Sequence, residues 1–89
     1  MIGTLTVTAA AIRTDDGDLF HLLPPAKHSQ VIRMVRDMGY GGPVGGSRQG
    51  FLLSDGTFAG RKEAMKVAKS ARQVSKTIHN RQLFSEDLW

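Results

Sequence analysis

The sequence contains no cysteine, which excludes a disulfide framework, a thiolate metal site and a cysteine nucleophile. Nowhere does it approach the ~20 consecutive apolar residues of a membrane-spanning helix, and Arg13 interrupts the longest mild run. The opening Met1-Ile2-Gly3-Thr4-Leu5-Thr6 lacks the basic segment of a secretion signal. A cytoplasmic location without a membrane partner is therefore the expectation. Aromatic residues make up only 7% of the chain, and no aromatic-rich RNA-binding strand is spelled out. His21, His28 and His79 are isolated from one another, so no helical metal-ligand pair is present. No residue set supplies a nucleophile, a base and an oxyanion donor at readable spacing. Neither an enzyme, nor a cofactor, nor a metal is expected.

What is present is a chain of 89 residues, 40% hydrophobic and 22% charged, the composition of one small globular domain spanning 1–89. Such a chain buries only about 60% of its unfolded surface, so its core is thin. With no disulfide to brace it, a homo-oligomer is expected. The net charge of +4 is unevenly spread: residues 1–26 carry −2, residues 27–60 carry +2, Arg61–Arg81 carry +6 and the last eight carry −2. A basic block of this kind attracts phosphate, or forms a well-solvated helix face.

The elements read as two strand pairs, each followed by a helix. Thr4, Thr6 and Thr8 alternate with Leu5, Val7 and Ala9 as in a half-buried strand continuing toward Ile12. Asp15-Asp16-Gly17 offers a turn, Asp18–Leu23 the returning strand, and Pro24-Pro25 its end. Pro25 can open a first helix whose apolar face is Val31, Ile32, Met34, Val35 and Met38, with Gly39 closing it. Residues 39–50 form a flexible glycine-rich loop. Gly50–Leu53 and Phe58-Ala59 flank the turn Ser54-Asp55-Gly56-Thr57 as a second hairpin. A second helix follows Gly60, with Ala64, Val67, Ala68, Ala71 and Val74 on one face and Lys62, Lys66, Lys69 and Lys76 on another. The expected fold is α+β: a small antiparallel sheet from two hairpins, two α-helices in the order ββα-ββα, and a C-terminal tail. The halves share an element order but no sequence, and are not read as a repeat.

Tempting motifs fail on inspection. Gly41 and Gly46 have phosphate-loop spacing, but Ser47-Arg48 stands where Lys-Ser/Thr is needed, and the loop follows a helix instead of a strand. The carboxylates of Asp15, Asp16 and Asp18 lack the spacing of a calcium loop and read as a turn. The useful constellation lies at element boundaries. Lys27, Arg48 and Arg61 suit phosphate, Gln49 suits a base or ribose edge, and Phe51 offers a stacking face or a core side chain. His28 stands beside Lys27 at a helix start. Helix N-termini near 26 and 61 add N–H donors. The expected ligand is a small phosphorylated nucleotide.

The segments Gln49–Phe58, Arg61-Lys62-Glu63-Ala64 and Leu83-Phe84-Ser85-Glu86-Asp87-Leu88-Trp89, with Lys27-His28 before the first helix, carry a resemblance. Over about residues 27–89 the chain resembles small proteins of tailed phages, and among them the first described family of Thoeris anti-defence proteins. The resemblance implies an oligomeric α+β sponge, in the cytoplasm of the host cell, that sequesters cyclic ADP-ribose or cyclic oligonucleotide signals without cutting them. It implies Lys27 facing phosphate, Phe51 stacking on adenine, Arg61 at a polar position, and Arg81 as a further ligand-binding residue. The chain departs from that pattern at Gly60, where relatives carry Asp or Asn, and at Ser70-Ala71-Arg72-Gln73. Two alternatives stay open: an anti-CRISPR-like inhibitor of a host defence protein, and a non-specific nucleic-acid-binding protein. The tail either packs on the core, the favoured reading, or docks a partner.

Overall fold

The computed structural model describes residues 5–74 and 81–88. It contains strands β1 (Val7–Arg13) and β2 (Leu19–Leu22), helix α1 (His28–Asp37), strands β3 (Gln49–Leu53) and β4 (Phe58–Gly60), and helix α2 (Arg61–Ser70). The ββα-ββα order and the α+β class are those expected from the sequence. The four strands form one antiparallel sheet in the order β2-β1-β3-β4, so the two hairpins meet along β1 and β3.

Residues paired across strands share a face of the sheet. The register therefore sets Ala10, Ile12, Phe20, Leu22, Phe51 and Ala59 on one side. Both helices pack there. α1 places Val31 and Val35 against Ala10 and Ile12, and α2 places Ala64, Met65 and Ala68 against Phe51, Leu53 and Ala59. The result is a two-layer domain with two apolar clusters side by side. On the other side, Ala9 and Ala11 are also fully buried. There the Phe58 ring covers Gly50, and the Arg13 guanidinium lies 4.8 Å over that ring.

This two-sided burial explains the first departure from the sequence reading. A central strand buried on both faces is written as a continuous apolar run, here Ala9–Ile12, and loses the alternation that marks a half-buried strand. β1 accordingly runs to Arg13, and Thr8 sits at a register shift with its hydroxyl donated to the Leu52 carbonyl. The expected strand start at Thr4 lies outside the described residues.

The helices also begin and end elsewhere than expected. α1 starts at His28, not Pro25, because Gln30 Oε1 accepts the Lys27 N–H at 2.8 Å and fixes Lys27 as the N-cap. α2 stops at Ser70, well short of Val74. Arg72 adopts φ 60° and gives its N–H to Lys69, while Gln73 gives its N–H to Ala68, a Schellman ending. Lys76 lies outside the described residues. Within 39–50, Val44 is buried against α1 and β1, Gly46–Arg48 form a single 3-10 turn, and Gln49 and Gly50 belong to β3.

The halves agree in more than element order. Thr14 N–H bonds to Asp18 O and Gly17 N–H to Thr14 O; Leu53 and Gly56 repeat both bonds with Thr57 and Leu53. Each helix has ten residues, and each ends in the same two-bond motif, through Gly39 and Tyr40 in α1. Backbone repetition of this kind needs only matched turn and cap bonds, so the side chains are free to diverge and hide it from the sequence.

Candidate functional site

β4 passes directly into α2, and Gly60 is the N-cap. Lacking a side chain, it provides no side-chain acceptor for the first-turn N–H groups. A cleft of about 540 Å³ opens at this helix start. Its walls are Gly46 and Ser47 of the 3-10 turn, Gln49 of β3, Gly60 through Glu63, and Gln82 of the tail. The positive end of the α2 dipole, Arg61 and Lys62 make this wall attractive to an anion, with Glu63 the one carboxylate among the described residues of the lining.

Arg61 is the best-held of these side chains. Its Nη1–H donates to the Leu83 carbonyl at 2.9 Å, its Nη2–H donates to Gln49 Oε1, and its guanidinium stacks 4.6 Å over the Phe84 ring. The Leu83 N–H returns a bond to the Arg61 carbonyl at 3.0 Å. One residue therefore links sheet, helix and tail. Leu83 is fully buried against the α2 side of the core, Ser85 is buried, and Asp87 Oδ2 accepts the Phe84 N–H. The described part of the tail is packed, leaving Phe84 the most exposed of its apolar residues.

The other residues singled out in the sequence divide as follows. Gln49 and Arg61 lie together in the cleft. Arg48 stands beside it on the 3-10 turn, its Nε–H given to Asp15 Oδ1 at 2.6 Å and its Nη2 paired with the same oxygen. His28 is buried at the start of α1, donating Nε2–H to the Gly50 carbonyl at 2.6 Å and meeting the Phe51 ring edge-on at 4.9 Å. Lys27 is half-buried at the N-cap before it. Phe51 is wholly buried in the cluster beneath α2, which leaves no ring face for a base; of its two sequence readings, burial favours the core one. Arg81 is exposed next to Gln82.

Ser47, Lys62, Glu63 and Gln82 line the cleft without having been singled out as ligand residues. Lys62 and Glu63 had a signal, their place in the first turn of a helix with an uncapped start. Gln82 had none, because only the fold of the tail brings it there. Among the described residues no group of three His, Asp or Glu side chains is placed to hold a metal ion.

The family described as the phage T4 y16D protein matches residues 6–89 of the chain. No curated protein and no solved structure matches it.

Proposed function

The chain belongs to the phage T4 y16D family, and from that premise we propose that it holds a small phosphorylated nucleotide, uncut, in the cleft at the start of α2. The observation that carries the reading is the cleft itself, where a helix start without a side-chain cap, two cations and two glutamine amides line one cavity. Phosphate suits the Lys62 ammonium, the Arg61 guanidinium and the first-turn N–H groups. Ribose hydroxyls suit the Gln49 and Gln82 amides. Among the described residues no aromatic side chain lines the cavity, so recognition falls on sugar and phosphate instead of a stacked base. For a phage-family protein, the use of such a cleft is to sequester a host immune signal of the cyclic ADP-ribose or cyclic oligonucleotide type.

The test is thermal melting of the pure protein with cyclic ADP-ribose isomers, cyclic dinucleotides and cyclic trinucleotides. A ligand held at 100 times its dissociation constant adds about 2.7 kcal/mol and raises the midpoint by roughly 10 °C or more. Chromatography should return that ligand intact. Ser47→Glu, at an exposed residue of the lining, puts a carboxylate in the cleft and should abolish the shift while the protein stays folded. A flat panel, or a shift that survives in Ser47→Glu, overturns the proposal.

A further inference from the structure

Both helices lie on one side of the sheet, and their outward residues carry charge beyond what the cleft uses, Lys62 alone being shared with it. α1 exposes Arg33 and Arg36, and α2 exposes Lys62 and Lys66, with Lys69 half-buried beside them and Arg72 exposed at its end. Against these six cations the same stretches expose only Asp37 and Glu63. Three of the four carboxylates of the first half collect elsewhere, at Asp15, Asp16 and Asp18 around the first hairpin turn. Lys62, Lys66 and Lys69 recur at four and three residues, which aligns them along one helix face over roughly 10 Å. α1 sits over β1 and β2 and α2 over β3 and β4, so the two rows are two strand spacings apart, about 10 Å.

We infer that this helical layer is a docking surface for the phosphate backbone of double-stranded nucleic acid, bound without sequence preference. Two cationic rows at that separation match phosphate rows flanking a groove about 12 Å wide. The composition of the layer selects among polyanions. Neither helix contains Phe, Tyr or Trp, so there is no platform on which single-stranded bases would stack. The apolar face of each helix is already spent on the core, leaving none to enter a lipid surface. A charged layer without aromatic anchors also lacks the apolar core on which protein interfaces are built. The three lysines, on flexible stems, suit diffuse phosphate contact, and the forks of the three arginines suit phosphate oxygens.

Fluorescence anisotropy with a labelled 20-base-pair duplex of arbitrary sequence, and with its single strand, tests the inference. Duplex should bind more tightly than single strand, equally for unrelated sequences. With four or five phosphates neutralised, affinity should fall about 100-fold or more between 50 and 200 mM salt. The variant Arg33→Glu/Lys66→Glu/Lys69→Glu avoids every cleft residue; it should lose at least tenfold in affinity and flatten the salt dependence, with a melting midpoint that shows it folded. No duplex binding at 50 mM salt, preference for the single strand, tighter binding to phosphatidylserine vesicles, or undiminished binding by the folded variant each overturns it. The surface and the cleft fail separately: Ser47→Glu should keep duplex binding, and the triple variant should keep any nucleotide-induced melting shift.

Discussion

Gly50 has two neighbours that leave no room for a β-carbon. One built there would stand 2.2 Å from the Ala59 carbonyl oxygen and 2.5 Å from the Phe58 ring. The first of these is backbone, so relief requires β3 and β4 to separate. Gly50→Ala should cost about 2 kcal/mol, as overpacking does, and lower the melting midpoint by about 10 °C in a circular-dichroism melt. An unchanged midpoint would mean that the strands part without cost. The sequence made Gln49-Gly50-Phe51 conspicuous but not its reason. Glycine is there for a ring from the neighbouring strand, and Phe51 for the core; cross-strand register decides both. At the second hairpin turn, Thr57 gives both its hydroxyl, at 2.6 Å, and its N–H, at 3.0 Å, to Asp55 Oδ1. These bonds, the hydroxyl first, hold the Asp55 carboxyl below its ordinary value. A carboxyl lowered by folding stabilises the fold at neutral pH, and that contribution is lost as pH falls through the folded-state value. Melting midpoints followed from pH 6 to about pH 2 should fall less steeply in Asp55→Ala than in the parent. Equal slopes would remove Asp55 from the acid response.

Each helix solves its C-terminal carbonyls with the same pair of bonds, but with different residues in the left-handed position. Gly39 occupies it in α1 at φ 96°, and Arg72 occupies it in α2 at φ 60°. A residue with a β-carbon pays about 1 kcal/mol for that conformation, partly offset in glycine by the freedom it regains on unfolding. Arg72→Gly should therefore gain about 0.5–1 kcal/mol, read as a raised urea midpoint with an unchanged slope. A loss would show that the Arg72 side chain contributes more than its backbone costs. The end of α1 was legible because glycine announces it. The end of α2 was not, because an arginine there looks like one more turn of a basic helix, and the apolar spacing through Val74 encourages that reading. The order of elements was legible for the opposite reason: Asp-Gly at both turns, the double proline and the alternation of patterns each leave a mark in the sequence.

Across the whole molecule, the tail is the segment whose place could be read least and whose role is largest. Leu83 fills the α2 cluster, and Arg61, 22 residues earlier in the chain, holds it by two reciprocal bonds. Arg61→Lys keeps the charge but loses the fork that reaches Gln49 and Leu83 together. It should lower stability by about 1–2 kcal/mol, the worth of one or two such bonds, and bring forward the hydrogen exchange of the Leu83 amide. Unaltered exchange at Leu83 would sever Arg61 from the docking of the tail. Of the cleft, Gln49 and Arg61 were readable in advance as polar residues at element boundaries; Gln82 was not, since nothing local marks a residue that a returning tail delivers.

The shared use of Arg61 has a thermodynamic consequence. The same guanidinium lines the cleft and anchors the chain end, so occupancy of the one and attachment of the other draw on a single group. Whatever factor a bound anion applies to the closing of the tail, the tail must apply to the affinity for that anion, by reciprocity. A change made at the extreme of the sequence would then be felt as a change in binding, and a spectroscopic label on Phe84 would report events in a cavity it does not enter.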